Sequence, residues 1–325
     1  MSAFLIGVLA AAVLLIGSLV LFTAWTAFRV ERALPPMGRF IEIDGTRIHY
    51  LDQGQGPVIV LIHGLGGQMR NFTHSLLGRL TNEFRVILID RPGSGYSTRS
   101  PRTSAGLRAQ GELMAKFIHA LHLQRPLVVG HSLGGAVALA TALDHPDCVG
   151  SLALISPLTH IEETAPAPFR GLAIRSRLVR WLAAWTLATP LAILKGDEVL
   201  AFVFGPETPP QDFAMKGGGL LGLRPGSFYS TSTDMIAVND DLPSMVLRYS
   251  SLNMPVSILF GAEDRILDYS SHGTALQAKL AGAELKLLPG RGHMLPVTAP
   301  DETAEWIRAT ARKLFKSISS SRPQA

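Results

Sequence analysis

The segment Leu127-Val128-Val129-Gly130-His131-Ser132-Leu133-Gly134-Gly135-Ala136 restricts what this chain can become more than any other stretch. Three apolar residues, two of them β-branched, lead to a glycine. A serine stands two positions later, and small and apolar residues follow to Leu143. The pattern predicts a buried strand, a tight turn and a helix, with Gly-x-Ser-x-Gly across the turn. Such a turn forces the serine into a strained conformation and lifts its hydroxyl above the sheet edge. Gly130 and Gly134 are expected where any Cβ would strike the opposite arm of the turn. The helix behind the serine points its free N–H groups and positive dipole end at the place where an oxyanion would form.

The flanking sequence alternates between strand and helix signals. Residues 39–44 and 47–52 alternate apolar and polar side chains around Asp44-Gly45, which marks a hairpin. Val58–Ile62, 84–89, 127–129 and 149–155 are apolar runs typical of strands buried on both faces. Helical spacing fills 107–121 and 136–143, the latter stopping near His145-Pro146. The rhythm resumes with strands at 256–260 and Glu284–Leu288, and helices at 270–280 and 300–315. Strands alternating with helices predict a parallel, doubly wound sheet. Residues 317–325 read as a loose polar tail.

Between about 157 and 252 the alternation breaks into a Pro- and Gly-rich, mainly helical insert, expected as a lid. Ile174, Leu178, Trp181 and Trp185 share one helical stripe, with Arg170, Arg175, Arg177 and Arg180 outside it. Such a helix could lie on an anionic bilayer; packing of the stripe on the core is the preferred expectation. Gly217-Gly218-Gly219 reads as a lid hinge or a plain loop.

Ahead of the domain, residues 2–28 carry no charged side chain. A run this long spans about 30 Å of hydrocarbon, so residues 1–28 are expected to anchor the chain in a bilayer. A secretory signal peptide is the competing reading. It fits less well, since no Lys or Arg precedes the run and no small-x-small site precedes Arg29. Arg29, Arg32 and Arg39 follow the span, which places the catalytic domain in the cytoplasm, with the periplasm as the alternative side. Pro35-Pro36 in the linker 29–38 is a stiff exit. The apolar fraction of 47% against 17% charged agrees with a membrane segment. The net charge of +5 is scattered, so nucleic-acid binding is not expected. A single cysteine, Cys148, excludes an internal disulfide and reads as a structural thiol.

A serine hydroxyl needs a base, and the base needs a carboxylate to fix its tautomer. Among the 10 histidines, His293 lies in Gly290-Arg291-Gly292-His293-Met294, a glycine-flexed loop after a strand. His131 adjoins the serine and is expected to point away, His63 belongs to another loop, and His145 suits a helix end. Asp264, in Gly261-Ala262-Glu263-Asp264-Arg265, also follows a strand. Asp268 and Asp240 are fallback acids, and Glu263 is less suited. The order Ser132, Asp264, His293 is the one this strand–turn–helix architecture uses. The oxyanion donors are expected at Leu133 N–H and at Leu65 N–H, within His63-Gly64-Leu65-Gly66-Gly67. Asp90-Arg91-Pro92-Gly93-Ser94-Gly95 reads as a structural turn. No GxGxxG, Walker loop or HExxH occurs, so neither cofactor nor metal is expected.

The H-G-L-G-G loop, D-R-P-G-S-G-Y-S, G-H-S-L-G-G, G-A-E-D-R-I and G-R-G-H-M come in an order that resembles the α/β-hydrolase superfamily over residues 40–315. The chain is similar to cap-bearing bacterial serine esterases, and its anchor-plus-hydrolase layout to membrane-tethered monoacylglycerol lipases. The resemblance implies an eight-stranded, mostly parallel sheet with flanking helices, an inserted helical cap and a Ser-Asp-His triad. The core is then expected at 39–156 and 253–316, with the cap at 157–252. Epoxide hydrolases and haloalkane dehalogenases of this fold carry Asp at the turn; Ser132 points instead to acyl-enzyme chemistry. The expected activity is hydrolysis of small-molecule carboxylic esters, probed against three alternatives: an acyltransferase, a cofactor-free haloperoxidase and a non-catalytic binding protein.

Overall fold

The computed structural model describes residues 3–162 and 166–320. Its centre is one eight-stranded sheet. The strands are β1 (Arg39–Ile43), β2 (Thr46–Gln53), β3 (Val58–Ile62), β4 (Arg85–Ile89), β5 (Leu127–His131), β6 (Ser151–Ile155), β7 (Val256–Gly261) and β8 (Glu284–Leu288). Their spatial order is β1-β2-β4-β3-β5-β6-β7-β8. The hairpin β1–β2 and the pair β2–β4 are antiparallel, and every other pair is parallel. The eight-stranded, mostly parallel sheet expected from the sequence is therefore present.

Alternate residues of each central strand feed opposite layers, as the period of two requires. Val60, Ile62, Val128, Leu152, Leu154, Ile258 and Phe260 pack with α2 (Leu107–Ala120) and α3 (Leu133–Asp144). Ile59, Leu61, Leu127, Val129, Ala153, Ile155 and Leu259 pack on the other face. There they meet Phe72, Leu76 and the amphipathic C-terminal helix. In α2, Leu107, Gln110, Leu113, Met114, Phe117 and Ile118 are buried, which is one helical stripe.

The chain runs from β3 outward to β4 and then crosses back to β5, so its winding reverses between β3 and β5. A parallel sheet opens a ligand crevice beyond the carboxyl ends of its strands at such a reversal. Ser132 and the His63–Gly67 loop leave the sheet at that point.

The cap lies between β6 and β7 and contains α4 (Arg177–Trp185), α5 (Ala188–Phe204) and α6 (Pro225–Val246). The orientation of α4 corrects the preferred expectation. Leu178 is 66% exposed and Trp181 51%, whereas Arg180 is only 4% exposed. The Arg180 guanidinium donates to the Ile174 carbonyl from Nε (3.1 Å) and Nη2 (2.6 Å), and to Thr233 Oγ1 from Nη1 (2.7 Å). These acceptors hold the arginine inward and turn Leu178 and Trp181 out, while Ile174 and Trp185 of the same stripe are half-buried. The Gly217 carbonyl accepts from Gln68 Nε2 (2.8 Å) and Asn71 Nδ2 (2.9 Å), which ties the triple-glycine segment to the core at that residue.

The N-terminal helix α1 (Ala3–Ala33) is about 46 Å long at 1.5 Å per residue. Among the described residues it is the one helix long and apolar enough to cross a membrane, with a mean hydropathy of 2.8. It runs past the expected boundary at Phe28. Val30 and Leu34 pack on Leu221 of the cap, and the Pro35 carbonyl accepts from Arg70 Nη2 (2.7 Å). The 29–38 segment is thus docked, because its apolar residues continue the helical stripe of Thr23 and Thr26. The final helix α7 (Pro300–Ser320) extends into the expected tail, of which 321–325 lie outside the described residues.

Candidate active site

Ser132 sits between β5 and α3 with φ 55° and ψ −122°. A non-glycine residue at positive φ costs roughly 1–3 kcal/mol and persists only where the surroundings over-determine it. Here the Ser132 N–H donates to Ile155 O (3.0 Å), and its carbonyl accepts from Gly135 N (2.8 Å) and Leu158 N (3.0 Å). A Cβ on Gly130 would lie 2.5 Å from Gly134 O, across the turn as expected. A Cβ on Gly134 would instead lie 2.1 Å from Ile62 O, at the end of β3. Gly134 is therefore demanded by the neighbouring strand and not by the opposite arm of its own turn.

His293 and Asp264 come together after β8 and β7. His293 Nδ1 donates to Asp264 Oδ2 at 2.7 Å, and both side chains are almost completely buried. The other oxygen, Oδ1, accepts the N–H groups of Ile266 (2.8 Å) and Leu267 (3.0 Å). Burial pushes the Asp264 pKa up. The charge of His293 and the hydrogen bonds from His293, Leu267 and Ile266 outweigh it, leaving the carboxyl below its ordinary value. An ionised, fixed carboxylate holds the imidazole with Nε2 free to take a proton. Of the fallback acids, Asp268 binds Ser270 and Ser271, and Asp240 is exposed at the cavity edge.

His131 does not point away. Its ring lies 4.9 Å from the His293 ring, and its Nε2 donates to the His293 carbonyl at 3.0 Å. Burial and the neighbouring His293 lower its pKa to about 3, so it is neutral near pH 7. Nothing in the sequence marks this, because the contact joins the end of β5 to a loop far away in the chain. Another such partner is Glu207 of the cap, whose Oε2 accepts the Gly292 N–H at 2.7 Å beside His293.

The His63–Gly67 loop lies against the serine: a Cβ on Gly64 would be 2.9 Å from Ser132 Cβ and 3.3 Å from its Oγ. Leu65 and Leu133 line the same cavity as Ser132 and His293. Leu133 N belongs to the first turn of α3, whose N–H groups have no partner within the helix. Arg91, in the segment that reads as a structural turn, grips this loop. Its Nε donates to His63 O (3.0 Å), its Nη2 to Gly64 O (3.0 Å), and its backbone N–H to His63 Nε2 (2.9 Å). Its Nη1 donates to Gln110 Oε1 (2.8 Å) and to Asp234 Oδ2 of α6 (2.8 Å). A fully buried ion pair thus joins the cap to the loop beside Ser132.

The cavity holds about 830 Å³, near the upper end of ordinary ligand sites. Its far walls are apolar cap residues, among them Phe169, Val203, Phe204, Phe213 and Met235. Such a space suits an apolar chain with a polar group at Ser132. Among the described residues no cluster of His, Cys, Asp or Glu could hold a metal ion. Burial raises the Cys148 thiol to about 11, consistent with a packing role.

The chain matches the alpha/beta hydrolase family over residues 59–306. It is 39% identical over 122 residues to the dihydrolipoyllysine-residue acetyltransferase component of the acetoin cleaving system of Cupriavidus necator; the match covers 37% of this chain and 32% of that protein. It is 27% identical over 276 residues to a 2-hydroxy-6-oxononadienedioate/2-hydroxy-6-oxononatrienedioate hydrolase of Burkholderia vietnamiensis, covering 82% of this chain and 92% of that one. Among solved structures, a membrane phospholipase A described as a bacterial virulence factor superposes with a TM-score of 0.67 at 26% identity. That match covers 97% of this chain and 99% of the other, a share that takes in part of α1.

Two measurable consequences follow from the buried polar groups. Asp234→Ala leaves Arg91 and Arg99 buried without their carboxylate and lowers the unfolding free energy by roughly 3–5 kcal/mol. Asp212→Ala, at the exposed partner of His74, leaves stability nearly unchanged; denaturant titration compares the two. The second concerns pH. Burial, then the charge of Arg91, lower the His63 pKa from 6.5 to about 3. As pH falls below 6.5 the unfolded chain takes up a proton that the folded chain refuses, so stability present above 6.5 declines toward pH 3. His63→Gln removes that contribution, flattening the slope of stability against pH by up to about 1.4 kcal/mol per unit in the same titration.

Proposed function

The chain belongs to the alpha/beta hydrolase family, and we propose that it is a membrane-anchored serine hydrolase that cleaves carboxylic esters through an acyl-enzyme. The observation that carries this reading is the 2.7 Å His293–Asp264 hydrogen bond at a cavity shared with a positive-φ Ser132. Ser132 Oγ attacks the ester carbonyl while His293 Nε2 takes its proton. The N–H groups of Leu65 and Leu133 hold the oxyanion, worth about 2.7–4 kcal/mol for each donor in comparable sites. His293 then gives the proton to the leaving alcohol. Water, deprotonated by His293, attacks the acyl-enzyme and releases the acid. Asp264 stays ionised and stabilises the imidazolium at both stages.

The substrate is a lipophilic ester such as an acylglycerol or a short- to medium-chain acyl ester. The apolar far walls of the cavity support this, as does the likeness to a membrane phospholipase A. Helix α1 is read as the single-pass anchor, and the arginines after it support a domain on the cytoplasmic side of a bacterial inner membrane. The exposed Leu178, Val179, Trp181 and Leu182 of α4 sit on a helix that touches α1, which brings an apolar cap surface beside the anchor. An acyltransferase is the second reading. The 39% identity to an acetyltransferase component favours it, although that match spans under a third of the relative. The two differ only in whether water or another nucleophile takes the acyl group.

A fluorophosphonate probe is expected to label the wild-type chain at Ser132. Ser132→Ala should abolish labelling and reduce ester turnover by at least about 10³-fold. Labelling that survives the substitution removes Ser132 from the reading; turnover that requires an added alcohol or thiol moves it to acyl transfer.

A further inference from the structure

A second cavity of about 830 Å³ shares no lining residue with the first. Its walls come from α1, from the segment after β4, and from the cap helices α4 and α6. Ala24, Ala27 and Phe28 of α1 form an apolar side. The opposite side presents Arg99, Arg177, Arg180 and Arg224.

The charges of this cavity do not balance. Arg224 faces Glu31 at 3.4 Å, and that pair is neutral. Arg91 and Arg99 share the carboxylate of Asp234, and the buried Asp90 acts on Arg91 as a second negative charge. Arg99 Nε and Nη1 are buried without a hydrogen-bond partner among the described residues. Arg180 is buried, yet among the described residues its guanidinium donates only to neutral acceptors, namely the Ile174 and Arg175 carbonyls and Thr233 Oγ1. Arg177 is exposed at the rim and has no carboxylate partner among the described residues. A buried cation without a counterion is costly. An anion in this cavity supplies the missing charge at short range, where the surrounding protein screens it weakly.

We propose that this cavity binds a phosphate-bearing anion, the head group of an anionic lipid whose acyl chains lie along α1. Several guanidinium groups converging on one space suit a phosphate, which offers several acceptor oxygens to their paired donors. The apolar wall on the opposite side suits the remainder of an amphiphile. The site is separate from the ester cavity, so the lipid here is a bound partner of the anchor and not the substrate. The lipid source rests on the reading of α1 as a membrane helix; the anion site itself does not.

The test uses the full chain in nanodiscs of phosphatidylcholine containing a minor fraction of phosphatidylglycerol, with native mass spectrometry after detergent release. The wild type is expected to retain phosphatidylglycerol selectively. Arg177→Gln, a rim substitution, should weaken retention about fivefold, and Arg177→Lys should restore most of it. Turnover of a soluble short-chain ester should be the same in all three. Equal retention of both lipids, or selectivity untouched by Arg177→Gln and by the double variant with Arg180→Gln, overturns the proposal. Titration of the detergent-solubilised chain with inorganic phosphate identifies the source: displacement of the lipid by millimolar phosphate makes the free ion a sufficient ligand, and no displacement makes it the lipid. A chain washed from membranes by alkaline carbonate refutes the anchor alone, since phosphate binding in detergent still reads the cavity directly.

Discussion

The close approach of three backbone segments around Ser132 is the constraint on which the rest of the site depends. The end of β3 presses its Ile62 carbonyl against Gly134, Gly134 presses against Gly130, and Gly64 lies against Ser132 itself. A single Cβ at Gly130 or Gly134 would need a neighbouring carbonyl to move by about an ångström, against strands paired on both sides. That rigidity is what lets a serine stay at φ 55° while its carbonyl and N–H are tied to Gly135, Leu158 and Ile155. The strain is local, and the sheet's hydrogen bonds and two-faced core distribute its cost.

Around that centre the polar groups are buried in pairs that have work on both sides. Arg91 satisfies two carbonyls of the loop next to Ser132 and the Asp234 carboxylate of α6, so cap position and loop geometry are coupled through one guanidinium. Glu207 makes a parallel connection from the cap to the loop of His293. Both contacts place charged groups where an unpaired partner would be expensive. This arrangement favours a cap held over the site, with the glycine-rich segment at Gly217 acting as a fastening.

Much of this was legible in the sequence, for identifiable reasons. The strands showed because residues buried on both faces must be continuously apolar, as in Val58–Ile62 and residues 127–129. Ser132, Asp264 and His293 stood out because each follows a strand run in a chain order this topology imposes. The side of α4 that would be buried was not legible, because burial of Arg180 depends on Ile174 O and Thr233, the latter 53 residues away. The same holds for His131 against His293 and for Gly134 against Ile62, contacts made by neighbouring strands and loops rather than by local pattern. The length of the apolar N-terminal helix was plain from the run of uncharged residues. Its extension to Ala33 was hidden, since Arg29, Glu31 and Arg32 look like a boundary although Val30 and Leu34 continue the buried stripe.

The central claim is that Ser132 carries the acyl group between two half-reactions. Acid-quenching the chain milliseconds after mixing with a p-nitrophenyl ester, followed by peptide mapping, tests it most directly. The account predicts a burst of about one equivalent of nitrophenol and the acyl mass on the peptide containing Ser132. Steady turnover by the wild-type chain with no burst and no acyl mass on Ser132 would contradict it.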